Sequence, residues 1–131
     1  MKDCPDFLTL EDINDIHENQ IALYGGSNGV RDKGLLQSAL SMPMASFGGS
    51  YLHQDIFEMG AAYLYHIVQN HPFIDGNKRT GAVSALTFLA LNGYKLKASQ
   101  DDFEAMVLSV ASSKMKKEGV AEFLKKYASS L

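Results

Sequence analysis

The chain has 131 residues, of which 46% are hydrophobic and 21% are charged, and its formal net charge is −3. This length fits one domain, residues 1–131, with a core of its own, and the composition excludes a disordered chain. The negative charge argues against a protein that binds nucleic acids through general electrostatic attraction.

Two helices are predicted at the start of the chain. Thr9, followed three residues later by Asp12, is typical of a capping box, and Gly25-Gly26 ends the helical spacing of apolar residues. Asp32 can cap a short second helix, which Pro43 ends.

The middle of the chain is predicted to hold a flap and the two most buried helices. The glycine-rich residues 44–50 can form either a flexible flap or a weak β-hairpin, and their composition does not decide between them. Asp55 caps a third helix that is apolar on most sides, and Pro72 ends it by disfavouring helical geometry at His71. A fourth helix, also apolar nearly all round, begins at about Asn77.

The last third of the chain is predicted to add two more helices. Ser99 with Asp102 starts a fifth, and the spacing of apolar residues indicates a sixth over about residues 118–128. No convincing series of strands is present. The expected fold is therefore an all-α bundle of about six helices around the third and fourth.

The sequence also bears on the cellular compartment. Cys4 is the single cysteine, so an internal disulfide framework is excluded. No apolar run approaches the roughly 20 residues that span a bilayer, and the opening residues 1–6 lack the layout of a signal peptide. We expect a cytoplasmic protein that contacts neither membrane nor nucleic acid.

The loop between the third and fourth helices, residues 71–79 (HPFIDGNKR), concentrates chemically active groups at the edge of the core. Gly76 allows a tight turn and a close approach of the backbone to a ligand. The first amides of a helix that begins near Asn77 are unsatisfied, and its dipole favours negative charge. Lys78 and Arg79 add positive charge, so the helix start is predicted to bind an anion, best a phosphate.

Two further side chains of the loop suit a phosphate site. A carboxylate such as Asp75 beside phosphates commonly holds Mg²⁺, and His71 can accept a proton from a hydroxyl. Structural interpretations stand beside these, with His71 as a helix end, Asp75 as a cap, and Lys78 and Arg79 as surface charges. Because cations are slightly unfavourable at a helix N-terminus, the anion site is favoured. Phe73 is interpreted as a core residue that anchors the loop.

The loop resembles the signature of the Fic/Doc superfamily, His-x-Phe-x-Asp/Glu-Gly-Asn-Gly/Lys-Arg, at every fixed position. The resemblance covers roughly residues 10 to 95. Flanking stretches resemble the Doc (death on curing) branch, namely Tyr24-Gly25-Gly26, Arg31-Asp32, Ser38-Ala39-Leu40, Phe47-Gly48-Gly49 and Asn92-Gly93-Tyr94.

The resemblance implies a helical bundle with a flap over an active loop, and a transferase that modifies proteins. Fic enzymes transfer AMP from ATP to a protein hydroxyl, whereas Doc toxins transfer the terminal phosphoryl group, with a translation elongation factor as target. Residues 44–51 would position the target chain. The implied roles are His71 as the base, Asp75 as the Mg²⁺ ligand, Gly76 and Asn77 as phosphate ligands through main chain and side chain, and Lys78 and Arg79 as ligands of the remaining triphosphate.

Two departures from the AMP-transferring pattern favour phosphoryl transfer. Lys78 stands where those enzymes have a second glycine, and Ala82 stands where many have a second arginine. Both resemble the Doc branch and imply a nucleotide whose γ-phosphate lies nearest His71. AMP transfer and a non-catalytic relative that binds a nucleotide or a partner remain the alternatives.

The inhibitory Ser/Thr-x-x-x-Glu-Gly/Asn motif of many Fic proteins is not matched. The nearest string, residues 14–19, has Asn14 where Ser or Thr is required. The resemblance therefore implies restraint in trans by a separate antitoxin, whose disordered segment folds on binding.

Overall fold

The computed structural model describes residues 4–131, and residues 1–3, which begin the segment tested for a signal peptide, lie outside the described residues. The described chain forms α1 (Leu10–Tyr24), α2 (Lys33–Ser41), α3 (Ile56–Asn70), α4 (Asn77–Leu91), α5 (Gln100–Ala111) and α6 (Lys117–Tyr127). One 3-10 turn (Met42–Met44) follows α2. Four short strands complete it: β1 (Ser46–Phe47), β2 (Ser50–Tyr51), β3 (Tyr94–Leu96) and β4 (Ala128–Ser130). The all-α prediction is confirmed.

The helix starts follow the predicted caps. Thr9 accepts the N–H of Asp12 while the Asp12 carboxylate accepts the N–H of Thr9, which completes the capping box of α1. The side chains of Asp32, Asp55 and Ser99 accept main-chain N–H groups at the starts of α2, α3 and α5. Each such cap stabilises a helix by about 1 kcal/mol. By contrast, α4 and α6 begin without a capping side chain.

The core lies on both sides of α3. One cluster joins Tyr63 and Ile67 of α3 to α1, α2 and Phe88 of α4, and a second joins Leu64 of α3 to Leu89 of α4, α5 and α6. All five side chains are fully buried. The third and fourth helices therefore form the centre of the fold, as predicted.

A glycine lets α3 and α4 approach closely. A Cβ atom at Gly81 would lie 2.9 Å from Cγ2 of Val68 and 3.2 Å from the carbonyl oxygen of Leu64. Such distances leave no room for a larger residue. The two helices therefore pack closely near the end where α3 stops and α4 starts.

The strands are peripheral. β1 and β2 form an antiparallel hairpin. Of the two structures predicted for the glycine-rich flap, a flexible flap and a weak β-hairpin, the hairpin is confirmed. The antiparallel pairing of β3 with β4 was not predicted, and α6 ends at Tyr127 rather than near residue 128. The three residues of β4 carry no strand pattern of their own, because their pairing depends on a partner more than thirty residues away.

No helix among residues 4–131 has the length and apolar character required to cross a membrane.

Candidate active site

The candidate site lies where α3 and α4 are joined. α3 ends at Asn70, and His71 follows with left-handed backbone angles, φ 48° and ψ 54°. Left-handed geometry is uncommon for a residue with a Cβ atom. The imidazole-bearing residue is exposed, whereas Pro72 and Phe73 after it are buried. The chain therefore projects His71 from the end of a buried helix and then returns to the core.

Phe73 and Asn77 close the loop on itself. The Phe73 ring is 1% exposed, so it anchors the loop as predicted. Its N–H donates to Oδ1 of Asn77 at 2.9 Å, and its carbonyl accepts from Nδ2 of Asn77 at 3.0 Å. The Asn77 side chain, which we expected to contact phosphate, is engaged within the loop. The predicted phosphate contact of Asn77 accordingly rests on its main-chain N–H.

His17 of α1 contacts the buried side of the loop. Its ring is buried and stacks on Phe73 with centroids 3.8 Å apart and planes 7° apart. Its Nε2 lies 2.8 Å from the carbonyl oxygen of Asp75, so this nitrogen carries the proton and donates. Sequence reasoning did not assign His17 a role. The sequence did carry one indication of its place. His17 lies midway between Ile13 and Ile21 at helical spacing, so it falls on the same buried face of α1 as those two residues.

The Asp75 carboxylate is held by main-chain N–H groups. Oδ1 accepts from Gly76 at 2.9 Å and Oδ2 accepts from Ser27 at 3.3 Å. Gly26 is required beside it, because its φ is +114° and an added Cβ would lie 2.6 Å from Oδ2. The carboxylate does not cap the first turn of α4, since Gly76 occupies the cap position.

This carboxylate fits a magnesium ion bound together with phosphates. Asp75 is exposed, and each carboxylate oxygen accepts one main-chain N–H and keeps a lone pair for a further ligand. Within residues 4–131 no group of three or more His, Cys, Asp or Glu side chains could hold a metal. Mg²⁺ commonly takes one or two carboxylates and completes its shell with water and substrate phosphates. A single well-oriented carboxylate meets that requirement.

The start of α4 is open. Gly76 is its cap, with φ +77° and no side-chain hydrogen bond, and an added Cβ there would lie 3.1 Å from Cδ1 of Ile21. Thr80 is the first residue of the helix whose N–H reaches a helical carbonyl, that of Gly76 at 2.9 Å. The N–H groups of residues 77–79 therefore point beyond the helix, where an anion can accept them.

Two cations flank this open end. Nη2 of Arg79 donates to the carbonyl of Gly25 at 3.0 Å, and the guanidinium lies 5.5 Å from the centroid of the Tyr24 ring. Both contacts are with the end of α1, whose dipole favours a cation. Lys78 is exposed and has no partner in the described part of the chain. The loop thus presents one cation in a fixed position and one free to reach a ligand.

Comparison with known proteins agrees with this geometry. The chain matches the model of the Fic/DOC family over residues 7–89. Protein kinase doc from Escherichia phage P1 is 30% identical over 116 residues, which cover 88% of this chain and 90% of that protein. The chain belongs to the Fic/Doc family, in its Doc branch. Toxin Doc from Mycolicibacterium smegmatis is 41% identical over 78 residues, which span 60% of this chain and 60% of that protein.

The Fic/Doc match includes every element that builds the site. Residues 7–89 contain α1 to α3, the flap, the loop and most of α4, but neither α5 nor α6. The signature loop of this Doc-branch chain joins an exposed imidazole, an oriented carboxylate and an open helix N-terminus within nine residues. This one loop carries all of the remaining predicted site residues: His71, Asp75, Gly76, Lys78 and Arg79.

Proposed function

We propose that this chain transfers the γ-phosphoryl group of ATP to a hydroxyl side chain of a target protein, as the toxin of a toxin–antitoxin pair. The observation that carries the proposal is the open start of α4, which bears Lys78 and Arg79 and belongs to the same nine-residue loop as the exposed His71. Main-chain N–H groups and two cations there suit a triphosphate. The names of the two relatives, a kinase and a toxin, support the same assignment.

In the proposed reaction, the His71 imidazole accepts the proton of the target hydroxyl. The hydroxyl oxygen forms a bond to the γ-phosphorus while the bond from that phosphorus to the β–γ bridging oxygen breaks, and ADP leaves with the electron pair. The N–H groups of residues 77–79 and the cations of Lys78 and Arg79 hold phosphate oxygens. Asp75 would hold Mg²⁺, which when bound supplies neutralising charge. Such catalysis is mostly positioning and charge stabilisation.

Lys78 and Ala82 favour phosphoryl transfer over AMP transfer. By resemblance, AMP-transferring enzymes have a second glycine at the position of Lys78, and many have a second arginine at the position of Ala82. Here Lys78 adds an exposed ammonium to the first turn of α4, and Ala82 packs against the second core cluster without a charge. Without a clamp on the outer phosphate, the nucleotide would bind with its γ-phosphate nearest His71.

The flap suits the positioning of the target chain. Phe47 at the tip of the β1–β2 hairpin is 82% exposed, and a two-stranded hairpin leaves an outer edge that can pair with an extended peptide. By resemblance we propose a translation elongation factor as the target. We also propose restraint by an antitoxin in trans and a cytoplasmic location.

The test is to label a lysate and a purified elongation factor with ATP marked at either the α or the γ position. Label from the γ position alone is expected, with His71→Ala abolishing it. Label from the α position alone would replace the proposal with AMP transfer. Growth inhibition that persists in His71→Ala, without label from either position, would replace it with a non-catalytic binding role.

A further inference from the structure

Arg31, in the segment between α1 and α2, binds the backbone around His71. Its Nε donates to the carbonyl of His71 at 2.7 Å, and its Nη2 donates to the carbonyl of Asn70 at 2.9 Å. Its own N–H donates to the carbonyl of Pro72 at 2.7 Å, which also accepts the N–H of Asp32 at 3.1 Å. Three successive carbonyl groups are therefore fixed by two consecutive residues.

None of these carbonyl groups is bonded within a helix, because Asn70 is the last residue of α3 and the other two follow it. The last carbonyls of a helix lack intrahelical donors, so they need partners from elsewhere in the chain. In addition, only two residues other than glycine have a positive φ among residues 4–131, and His71 is one of them. A left-handed residue with a Cβ atom persists only when its surroundings fix it. The guanidinium of Arg31 supplies that constraint.

The two contacts of Arg31 need the shape of a guanidinium. Nε and Nη2 lie on one edge of a rigid planar group, so they bond two neighbouring carbonyls at once. A lysine ammonium carries the same charge but places its donors around a single nitrogen. A lysine at this position would therefore keep the positive charge but could not bond both carbonyls in the way the guanidinium does.

We propose that Arg31 is a positioning residue for His71, which by fixing the carbonyls of residues 70 and 71 aims the imidazole at the open start of α4. The proposal deepens the proposed function and rests on it. Arg31 contacts neither nucleotide nor target in this role. Its donors are directed at the end of α3, and its effect on the reaction passes through the backbone of His71.

The experiment compares Arg31→Ala and Arg31→Lys with the control Gln69→Ala. Gln69 lies in the same last turn of α3 and donates to the carbonyl of Val110, away from the loop. We expect Arg31→Ala to lower kcat by about 10- to 100-fold, because small misplacements of a reacting group cost up to about 100-fold. The KM for ATP should change less than about twofold, since the phosphate ligands are untouched. Arg31→Lys should recover only part of the loss.

A second measurement separates this proposal from the proposed function. NMR spectra are recorded on the protein without substrate, and the His71 ring signals are identified by their loss in His71→Ala. These signals should be single in the wild type and shifted or doubled in Arg31→Ala. This readout does not depend on turnover. Absence of any transfer by the wild type would overturn the proposed function, while the NMR spectra would still decide the role of Arg31.

Two results would overturn the role of Arg31. One is unchanged His71 ring signals in Arg31→Ala. The other is a kcat for Arg31→Ala no lower than that of Gln69→Ala when both variants have the same free energy of unfolding.

Discussion

The two ends of the α3–α4 pair are built from different contacts. Where α3 starts and α4 stops, nearby residues satisfy the helix ends: Asp55 accepts the N–H of Glu58 at 2.8 Å, and Nδ2 of Asn92 donates to the carbonyl of Phe88 at 2.9 Å. Where α3 stops and α4 starts, no side chain caps α4. His17 and the segment after α1 hold that end from a distance.

Under the proposed function, the difference separates an end that stabilises the fold from an end that carries the active site, called the active end below. A helix end that is capped by its neighbours in sequence contributes to folding but offers no free N–H to a ligand. A helix end left open to an anion has to be fixed by other parts of the chain, here by His17 and residues 25–31. Changes at the active end should therefore affect activity more than stability, and changes at the opposite end should do the reverse.

The largest effect is expected for His71→Asn. Asparagine tolerates left-handed backbone angles, so the variant removes the base while keeping the loop geometry. Turnover should fall by at least about 100-fold, equivalent to about 3 kcal/mol of activation free energy. The free energy of unfolding should change by less than about 0.5 kcal/mol, since the side chain is exposed. Steady-state kinetics and urea denaturation would measure both, and a destabilised but active variant would contradict the comparison.

Gly81→Ala tests whether close packing fixes the active end. The new Cβ would meet Val68 and the carbonyl of Leu64, so the variant should lose about 1–3 kcal/mol of unfolding free energy. Gly60→Ala is the matched control in the same helix pair, because its Cβ would lie 3.4 Å from Cδ1 of Leu124, an ordinary contact. Urea denaturation should find Gly60→Ala at least as stable as the wild type. Equal stability of the two variants would refute the close approach.

Acid should weaken the fold through a histidine of α3. Burial, together with the neighbouring Lys117 and His53, lowers the pKa of His66 from its ordinary value to about 4. Because the unfolded state takes up the proton first, stability should fall as the pH drops from about 6.5 towards 4 and should then level off for this group.

The size of this loss is on the order of 2 kcal/mol once partial exposure of the ring is allowed for. Denaturation midpoints measured from about pH 7 to about pH 4 would give this loss, because that range covers the interval between the pKa values of His66 in the unfolded and folded states. In His66→Gln this decline should be smaller, while His53, whose pKa burial also lowers, still contributes. An identical pH dependence in His66→Gln would exclude His66 as the cause.

The smallest effect is expected at the capped end. Asp55→Ala removes the cap of α3 and should cost about 1 kcal/mol of unfolding free energy, with turnover per folded molecule unchanged. The 3.9 Å ion pair of Asp55 with Lys125 adds little, because both side chains are exposed. Asp55→Ser, which keeps a capping oxygen, should restore most of the stability. A loss of activity in Asp55→Ala would show that the two ends are coupled.

Much of the fold could be predicted because its signals are local. Thr9, Asp32, Asp55 and Ser99 each precede their helix and cap it through N–H groups three residues away. The open start of α4 also left a local signal, since Lys78 and its neighbour are cations where a helix dipole disfavours them. These signals lie within a few residues of the features they specify.

The supports of the site could not be predicted in the same way. His17 is 58 residues from Asp75 in sequence, and Arg31 is 40 residues from His71, so their contacts appear only after the helices have packed. The same holds for the pairing of β3 with β4. The bond of the Asn77 side chain to the Phe73 backbone likewise left no signal in the sequence, because it depends on the turn that Gly76 allows.

The most direct test of the phosphate site is an NMR titration of the wild-type protein with ATP and Mg²⁺. The largest shifts of main-chain amide signals are expected at residues 76–79, with the His71 ring responding, because we propose that the open start of α4 holds the phosphates. A cavity of about 410 Å³, lined by His53 and Lys117 among others, lies between α3 and α6 and provides an internal comparison. Shifts confined to that cavity, with residues 76–79 unmoved at saturating ATP, would contradict the account.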